Sequence, residues 1–209
     1  MPPGYLFYSG HLDWTETDSL PPDRFVFTVL RDPRERIASF YFFLRAEAEA
    51  MGPEELAMRT GKRMVLTRSA DDYFFGGNAK WQSFVRDHYE NFYVAYLGSR
   101  RMRGRSDLAD MDAQARVARA LENARLIDRF YATSGLAALE ADAARELGLV
   151  ISVAGTRANA GPGAPGQVRW PDLMARIESD ANRRRLEDFA DLDAELLDRL
   201  GRERGLSLG

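Results

Sequence analysis

The period of the apolar positions changes abruptly at residue 31. Phe25-Val26-Phe27-Thr28-Val29-Leu30 is short, β-branched, aromatic and almost wholly apolar. That pattern predicts a strand buried on both faces. Beyond it, Ile37, Phe40, Tyr41 and Leu44 recur at i, i+3, i+4 and i+7, which is one face of a helix. The turn between the two carries helix-start chemistry. Asp32 is a good N-cap, Pro33 suits the first helical position, and Glu35 stands where a capping box needs a carboxylate. Gly52-Pro53 should end the helix. Residues 25 to 51 therefore predict strand, tight turn and helix, half of a βαβ unit.

The rest of the chain alternates helices with short breaks. Pro53 to Thr60 predicts a short helix, and Ser69 caps another that carries Asp71, Asp72 and Tyr73 to Phe75 before Gly76-Gly77 breaks it. Residues 78 to 90 predict a helix, followed by the aromatic run Phe92 to Leu97 and an arginine-rich loop from Gly98 to Asp107. Asp112 to Ala124 is amphipathic, with Val117, Leu121 and Ala124 on one side. Leu126 to Ala132 predicts a second strand, and Leu136 to Leu147 a helix closed by Gly148. Four Gly and two Pro among residues 154 to 166 predict a loop. Pro171 opens a further helix, and Asp191 to Arg204 is a last one carrying Leu192, Leu196, Leu197 and Leu200. No repeat or long linker divides the chain, so residues 1 to 209 are expected to form a single α/β domain with few strands and many helices.

Composition narrows the chemistry. The 29 basic and 32 acidic side chains give a net charge of −3, which argues against a general polyanion or nucleic-acid binder. There is no cysteine, which excludes disulfides, thiolate zinc sites and cysteine nucleophiles. His11 and His88 are the two histidines, too few for a multi-histidine metal site, so no metal is expected. No apolar stretch approaches the roughly 20 residues of a membrane helix, and the N-terminus lacks signal-peptide regions, so a cytoplasmic protein without a transmembrane segment is expected. Arg31 stands out at the carboxyl end of the first strand, just before a helix N-terminus. Unpaired N–H groups and the helix dipole favour an anion there. Arg31 either holds that anion with help from the Ser39 hydroxyl, or pairs with Asp32 or Glu35 while Ser39 merely packs.

The stretch Arg31-Asp32-Pro33-Arg34-Glu35-Arg36-Ile37-Ala38-Ser39-Phe40-Tyr41-Phe42-Phe43-Leu44-Arg45 resembles the 3′-phosphate-binding strand and helix of sulfotransferases. Those enzymes use 3′-phosphoadenosine 5′-phosphosulfate (PAPS). The pattern R-D-P-x-x-R-x-x-S-x-Y-x-F-L-R is most similar to the heparan sulfate 2-O-sulfotransferase-like group. The resemblance implies a P-loop-NTPase-like sulfotransferase fold, a small parallel sheet flanked by helices. It implies sulfuryl transfer from PAPS to a hydroxyl of a carbohydrate-type acceptor, with adenosine 3′,5′-bisphosphate as product. Arg31 and Ser39 match the residues that hold the donor's 3′-phosphate, and Arg36 belongs to the same motif. Ser9-Gly10-His11 resembles a G-H segment whose histidine is the proposed base, which makes His11 the catalytic candidate. Asp13 and Glu16 are nearby carboxylates able to orient it. Asn78-Ala79-Lys80-Trp81-Gln82 resembles an N-x-x-x-Q segment, which makes Asn78 and Gln82 candidates for sugar or nucleotide contacts, or else a polar exposed face. Arg157 and Asn159 fall where the group has a loop near the nucleotide.

Arg101 and Arg103, with Arg100 and Arg105, either attract an anionic acceptor or form a solvated loop. Trp81 is expected in the core, and His88 either on a helix surface or packed. One departure from the resembled group concerns the loop that binds the 5′-phosphosulfate. That loop carries a lysine, and the 24 residues before Phe25 contain none, so the first strand-loop-helix unit is expected to be lacking. Thr60-Gly61-Lys62 imitates it but follows no predicted strand. The alternative to an enzyme is therefore a catalytically incomplete domain that binds a nucleotide 3′-phosphate or a protein partner.

Overall fold

Strand β1 (Phe27–Leu30) leads through Arg31 and Asp32 into helix α1 (Pro33–Glu49). A computed structural model describes residues 7, 10, 12–155 and 167–206. β1 pairs in parallel with β2 (Arg129–Ala132), Phe27 opposite Arg129 and Leu30 opposite Ala132. The long crossover between them is helical: α2 (Pro53–Met58), α3 (Thr60–Thr67), α4 (Ala70–Phe75), α5 (Ala79–Tyr89), α6 (Phe92–Ser99) and α7 (Ala113–Ala124). After β2 come α8 (Leu136–Leu147), α9 (Trp170–Met174), α10 (Asp180–Asp188) and α11 (Asp191–Arg204). The described residues are thus mostly helical around a small two-stranded parallel sheet, an α/β arrangement. None of the described helices is long and apolar enough to cross a membrane.

Local signals placed several helix ends. Asp32 Oδ1 accepts the Glu35 N–H, Ser69 Oγ the Asp72 N–H, and Asp112 Oδ1 the Ala115 N–H. Such caps stabilise by about 1 kcal/mol each. Gly148 closes α8 at φ 65°, where a Cβ would be strained. The segment Thr60-Gly61-Lys62 lies inside α3, so it is a helical turn and not a phosphate loop.

Two expectations are corrected. β1 is not buried on both faces, because Val29 is 36% exposed. Val26, Leu30 and Phe130 pack inward, whereas on the opposite face Phe7 stacks on Phe27 and α8 is reached by Tyr131 through its hydroxyl bond to Asp142. Among the described residues these leave Val29 of β1 exposed. Nor does Glu35 close a capping box. Its carboxylate instead accepts the N–H groups of Arg169 and Trp170, at 2.7 to 3.0 Å, and so ties the start of α9 to the start of α1.

Two apolar clusters flank the α1 N-terminus. The first gathers Ile37, Tyr41 and Leu44 of α1 with Val65, Tyr73, Phe74, Trp81, Val85, Leu173 and Leu186. The second gathers Leu30 with Trp14, Tyr93, Val94, Leu97, Val117, Leu196, Leu197 and Leu200. Reciprocal capping holds the second together. Asp193 of α11 accepts the Tyr93 and Val94 N–H groups at the start of α6, at 3.0 and 2.8 Å. Asn91 in turn accepts the Leu192 and Asp193 N–H groups at the start of α11. Asn91 sits at φ 47°, a left-handed conformation that asparagine tolerates better than most residues.

Candidate functional site

The β1–α1 junction assembles the best-defined constellation. Arg31 leaves the strand end and turns along α1, where its Nη1 donates to Ser39 Oγ at 2.6 Å. No carboxylate among the described residues forms an ion pair with Arg31, and the alternative pairing with Asp32 or Glu35 does not occur. Both acids are spent on backbone N–H groups. A cation held by a hydroxyl keeps the rest of its donors for an anion. The first turn of α1 adds to this. Pro33 has no N–H, Asp32 takes those of Glu35 and Arg36, and the Arg34 N–H has no acceptor among the described residues. The Leu30 carbonyl accepts the Thr133 N–H, so the carboxyl ends of both strands open on one edge. That edge is where open α/β sheets hold ligands.

Behind the junction lies a rigid support. The Arg31 N–H donates to Tyr93 Oη at 3.1 Å. Tyr93 is 7% exposed, and burial raises its phenol above the ordinary value. Arg36 points into this support. Its guanidinium donates to the His88 carbonyl at 2.8 Å and lies 3.6 Å from the centroid of Phe92 and 5.7 Å from that of Tyr93. Burial lowers its pKa, opposed by the neighbouring Tyr93 and Asp193. Arg36, expected beside the donor nucleotide, is thus committed to the seam between α1, α5 and α6. A desolvated cation over an aromatic face is worth about 2 kcal/mol, which explains the inward turn. Asp193, 2% exposed, has its carboxyl pushed up to about 6 by burial, against the pull of the Val94 and Tyr93 N–H groups and Arg36.

The remaining candidates are scattered. Asn78 and Gln82 do not present a shared ligand face. Asn78 is the N-cap of α5, its Oδ1 accepting the Trp81 N–H at 2.9 Å. Gln82 Nε2 donates to the Phe74 and Gly76 carbonyls and so locks the turn between α4 and α5. Gln82 also lines a cleft of about 200 Å³ with Phe75, Arg86, Arg185 and Phe189, apart from Arg31 and Ser39. Arg101 is exposed and pairs with Asp107 at 3.4 Å. Arg100 binds both Asp18 oxygens and stacks on Trp14, while Arg105 pairs with Glu90 at 3.0 Å. Arg103 is exposed, and its charge helps lower the pKa of His88. Of the two readings of His88, the structure shows the packed one: it stacks on Phe40 with Nδ1 on the Phe84 carbonyl, and burial is the main cause of its lowered pKa. Asp13 accepts the Met102 N–H. His11, Arg157 and Asn159 lie outside the described residues. Among the described residues no cluster of three or more acidic or histidine side chains could hold a metal.

The chain's two lysines are elsewhere. Lys62, in α3, pairs with Glu47 of α1 at 3.1 Å, and Lys80 sits exposed in the first turn of α5. Tyr93 and Asp193 are members of the support that sequence reasoning missed. A tyrosine inside an apolar aromatic run and an aspartate inside a leucine-rich helix were the visible signals, but neither indicates a partner 62 or 100 residues away. No protein-family model matches the chain, and the searches of curated proteins and of solved structures return no significant match.

Proposed function

We propose that the chain binds the 3′-phosphate of PAPS or its product adenosine 3′,5′-bisphosphate between Arg31 and Ser39, as the donor site of a sulfotransferase acting on a carbohydrate-type hydroxyl. One observation carries the reading. Arg31, at the carboxyl end of a parallel strand and free of any described carboxylate, donates to Ser39 at 2.6 Å beside the first turn of a helix. The planar guanidinium offers parallel donors to phosphate oxygens, the serine hydroxyl a third, and the Arg34 amide a fourth. The acceptor hydroxyl would attack sulfur in line while His11 takes its proton, and the nucleotide would leave with the bridging oxygen. Isothermal titration with adenosine 3′,5′-bisphosphate tests the binding step. Wild type should bind and Arg31→Ala should not; equal affinity in both would remove Arg31 from the site.

The second reading is a domain that binds the nucleotide 3′-phosphate or a protein partner without transferring sulfate. The positions of the lysines favour it. Lys62 of α3 is paired with Glu47 of α1 and Lys80 starts α5, so neither lies on a turn that follows a strand, where a phosphate loop would carry it. Transfer of labelled sulfate from PAPS to a mixed polysaccharide acceptor separates the two readings, because the incomplete domain binds nucleotide and yields no sulfate ester.

A further inference from the structure

We infer that Tyr93 is a third side-chain ligand of the anion held by Arg31 and Ser39, donating its phenolic hydrogen to it; this rests on the reading of that pair as a phosphate site. Tyr93 Oη already accepts the Arg31 N–H at 3.1 Å, so the oxygen sits at the strand end from which the Arg31 side chain departs. With that lone pair taken, the hydroxyl hydrogen must turn elsewhere, and no acceptor among the described residues receives it. Tyr93 is buried, at 7% exposure, so a hydroxyl hydrogen without an acceptor is costly there unless a ligand supplies one. The Arg31 guanidinium is also close enough to Tyr93 to lower its pKa against the effect of burial, which places the phenol within the field of the same cation.

The phenol is held in place from three sides. Asp193 fixes the Tyr93 backbone N–H, the Arg36 guanidinium lies against the ring, and Val94 and Leu97 of the same helix are anchored in the second cluster. A hydroxyl fixed this way loses little freedom when it meets an anion, which is the condition for a hydrogen bond to contribute fully to affinity. An anion placed on it would touch a hydroxyl from α6, a hydroxyl from α1 and the guanidinium from the end of β1. The site would then be sensed by both apolar clusters at once.

Tyr93→Phe tests this, since the ring, its packing and the Arg36 contact are kept. Affinity is measured by titration for adenosine 3′,5′-bisphosphate and for adenosine 5′-monophosphate, which lacks the 3′-phosphate. Wild type should prefer the bisphosphate. Tyr93→Phe should reduce that preference by about tenfold, one hydrogen bond to a charged group, and leave monophosphate affinity unchanged. Weakening of both ligands together, or of neither, overturns the inference; because Tyr93→Phe also releases the Arg31 N–H, a selective loss counts for it only when the tyrosine Cζ resonance of wild type shifts with the bisphosphate and not with the monophosphate. If wild type itself shows no preference, the phosphate reading of Arg31 and Ser39 fails with it. Should Tyr93→Phe not fold, wild type labelled at tyrosine Cζ reads the same contact by NMR. One tyrosine resonance must then shift with the bisphosphate and stay put with the monophosphate; the absence of such a shift overturns the inference.

Discussion

Arg31 and the arginines of residues 100 to 105 make an instructive pair. The loop has four arginines in six residues. Yet Arg100, Arg101 and Arg105 are paired with Asp18, Asp107 and Glu90. Arg31 is a single cation flanked in sequence by acids, and none of those acids reaches it. Local charge density is therefore a poor guide to binding capacity. What counts is whether the fold has already supplied a counter-charge. For Arg100 and Arg105 it has, through acids brought from elsewhere, and for Arg101 through Asp107 at the end of the same loop. At the strand end the neighbouring acids are diverted to helix N-termini, leaving the guanidinium with a hydroxyl.

The largest test of that contrast removes the support beneath Arg31. Asp193→Ala strands two backbone N–H groups and the Arg36 charge in a buried seam, and should cost about 3 to 4 kcal/mol in chemical denaturation. A loss below about 1 kcal/mol would mean that the seam does not hold the junction. Next comes ligand binding itself. Arg31→Ala should weaken adenosine 3′,5′-bisphosphate by about 100-fold or more, whereas Arg101→Ala should change it less than about twofold. The reverse ranking would make the loop the anion site and break the comparison outright.

A smaller effect follows from pH. The folded pKa of Asp193, about 6, lies above the ordinary carboxylate value, so folding takes up a proton. Its contribution is fully present below about pH 4 and is lost as pH rises through 6, an effect of about 2 to 3 kcal/mol. His88 acts oppositely in the same range. Its pKa is lowered by burial, so its contribution is lost as pH falls below that of an unfolded histidine. The difference between wild type and Asp193→Asn, measured from pH 5 to 7.5, isolates the aspartate. Wild type should gain on the variant as the solution is acidified; parallel profiles would refute the buried carboxylate's role. Smallest is Arg100→Ala, which loses an ion pair with the exposed Asp18 and a stack on Trp14 at the edge of the second cluster. Its cost should be about 1 kcal/mol in thermal denaturation, with nucleotide affinity unaltered.

Much of the fold was legible because its signals are local. The Asp32, Ser69 and Asp112 caps, the Gly148 stop and the Leu192 to Leu200 face lie within a turn or two of the helices they define. Arg31 and Ser39 were legible for the same reason, since eight residues along one strand-turn-helix bring them together. The roles of Asn78 and Gln82 were not. Their spacing implies a shared face only if both are inside the helix, and Asn78 is the cap that begins it. Arg36 was misjudged because its motif position says nothing of Phe92, whose ring, 56 residues on, offers the guanidinium a better surface than solvent.

The sequence by itself determined the strand-turn-helix around Arg31, the helical character of most of the chain and the absence of cysteine and multi-histidine chemistry. All of these depend on residue type, or on neighbours within a few positions. Tertiary structure alone decided which charges are spent. It sent Glu35 to α9, Asp193 to α6, Arg36 to Phe92 and Arg100 and Arg105 to Asp18 and Glu90, and it set the Tyr93 hydroxyl against the Arg31 amide. The physical reason is that a charge is satisfied by whatever partner lies within about 4 Å, and helices that pack across 50 to 130 residues set those partners independently of sequence spacing.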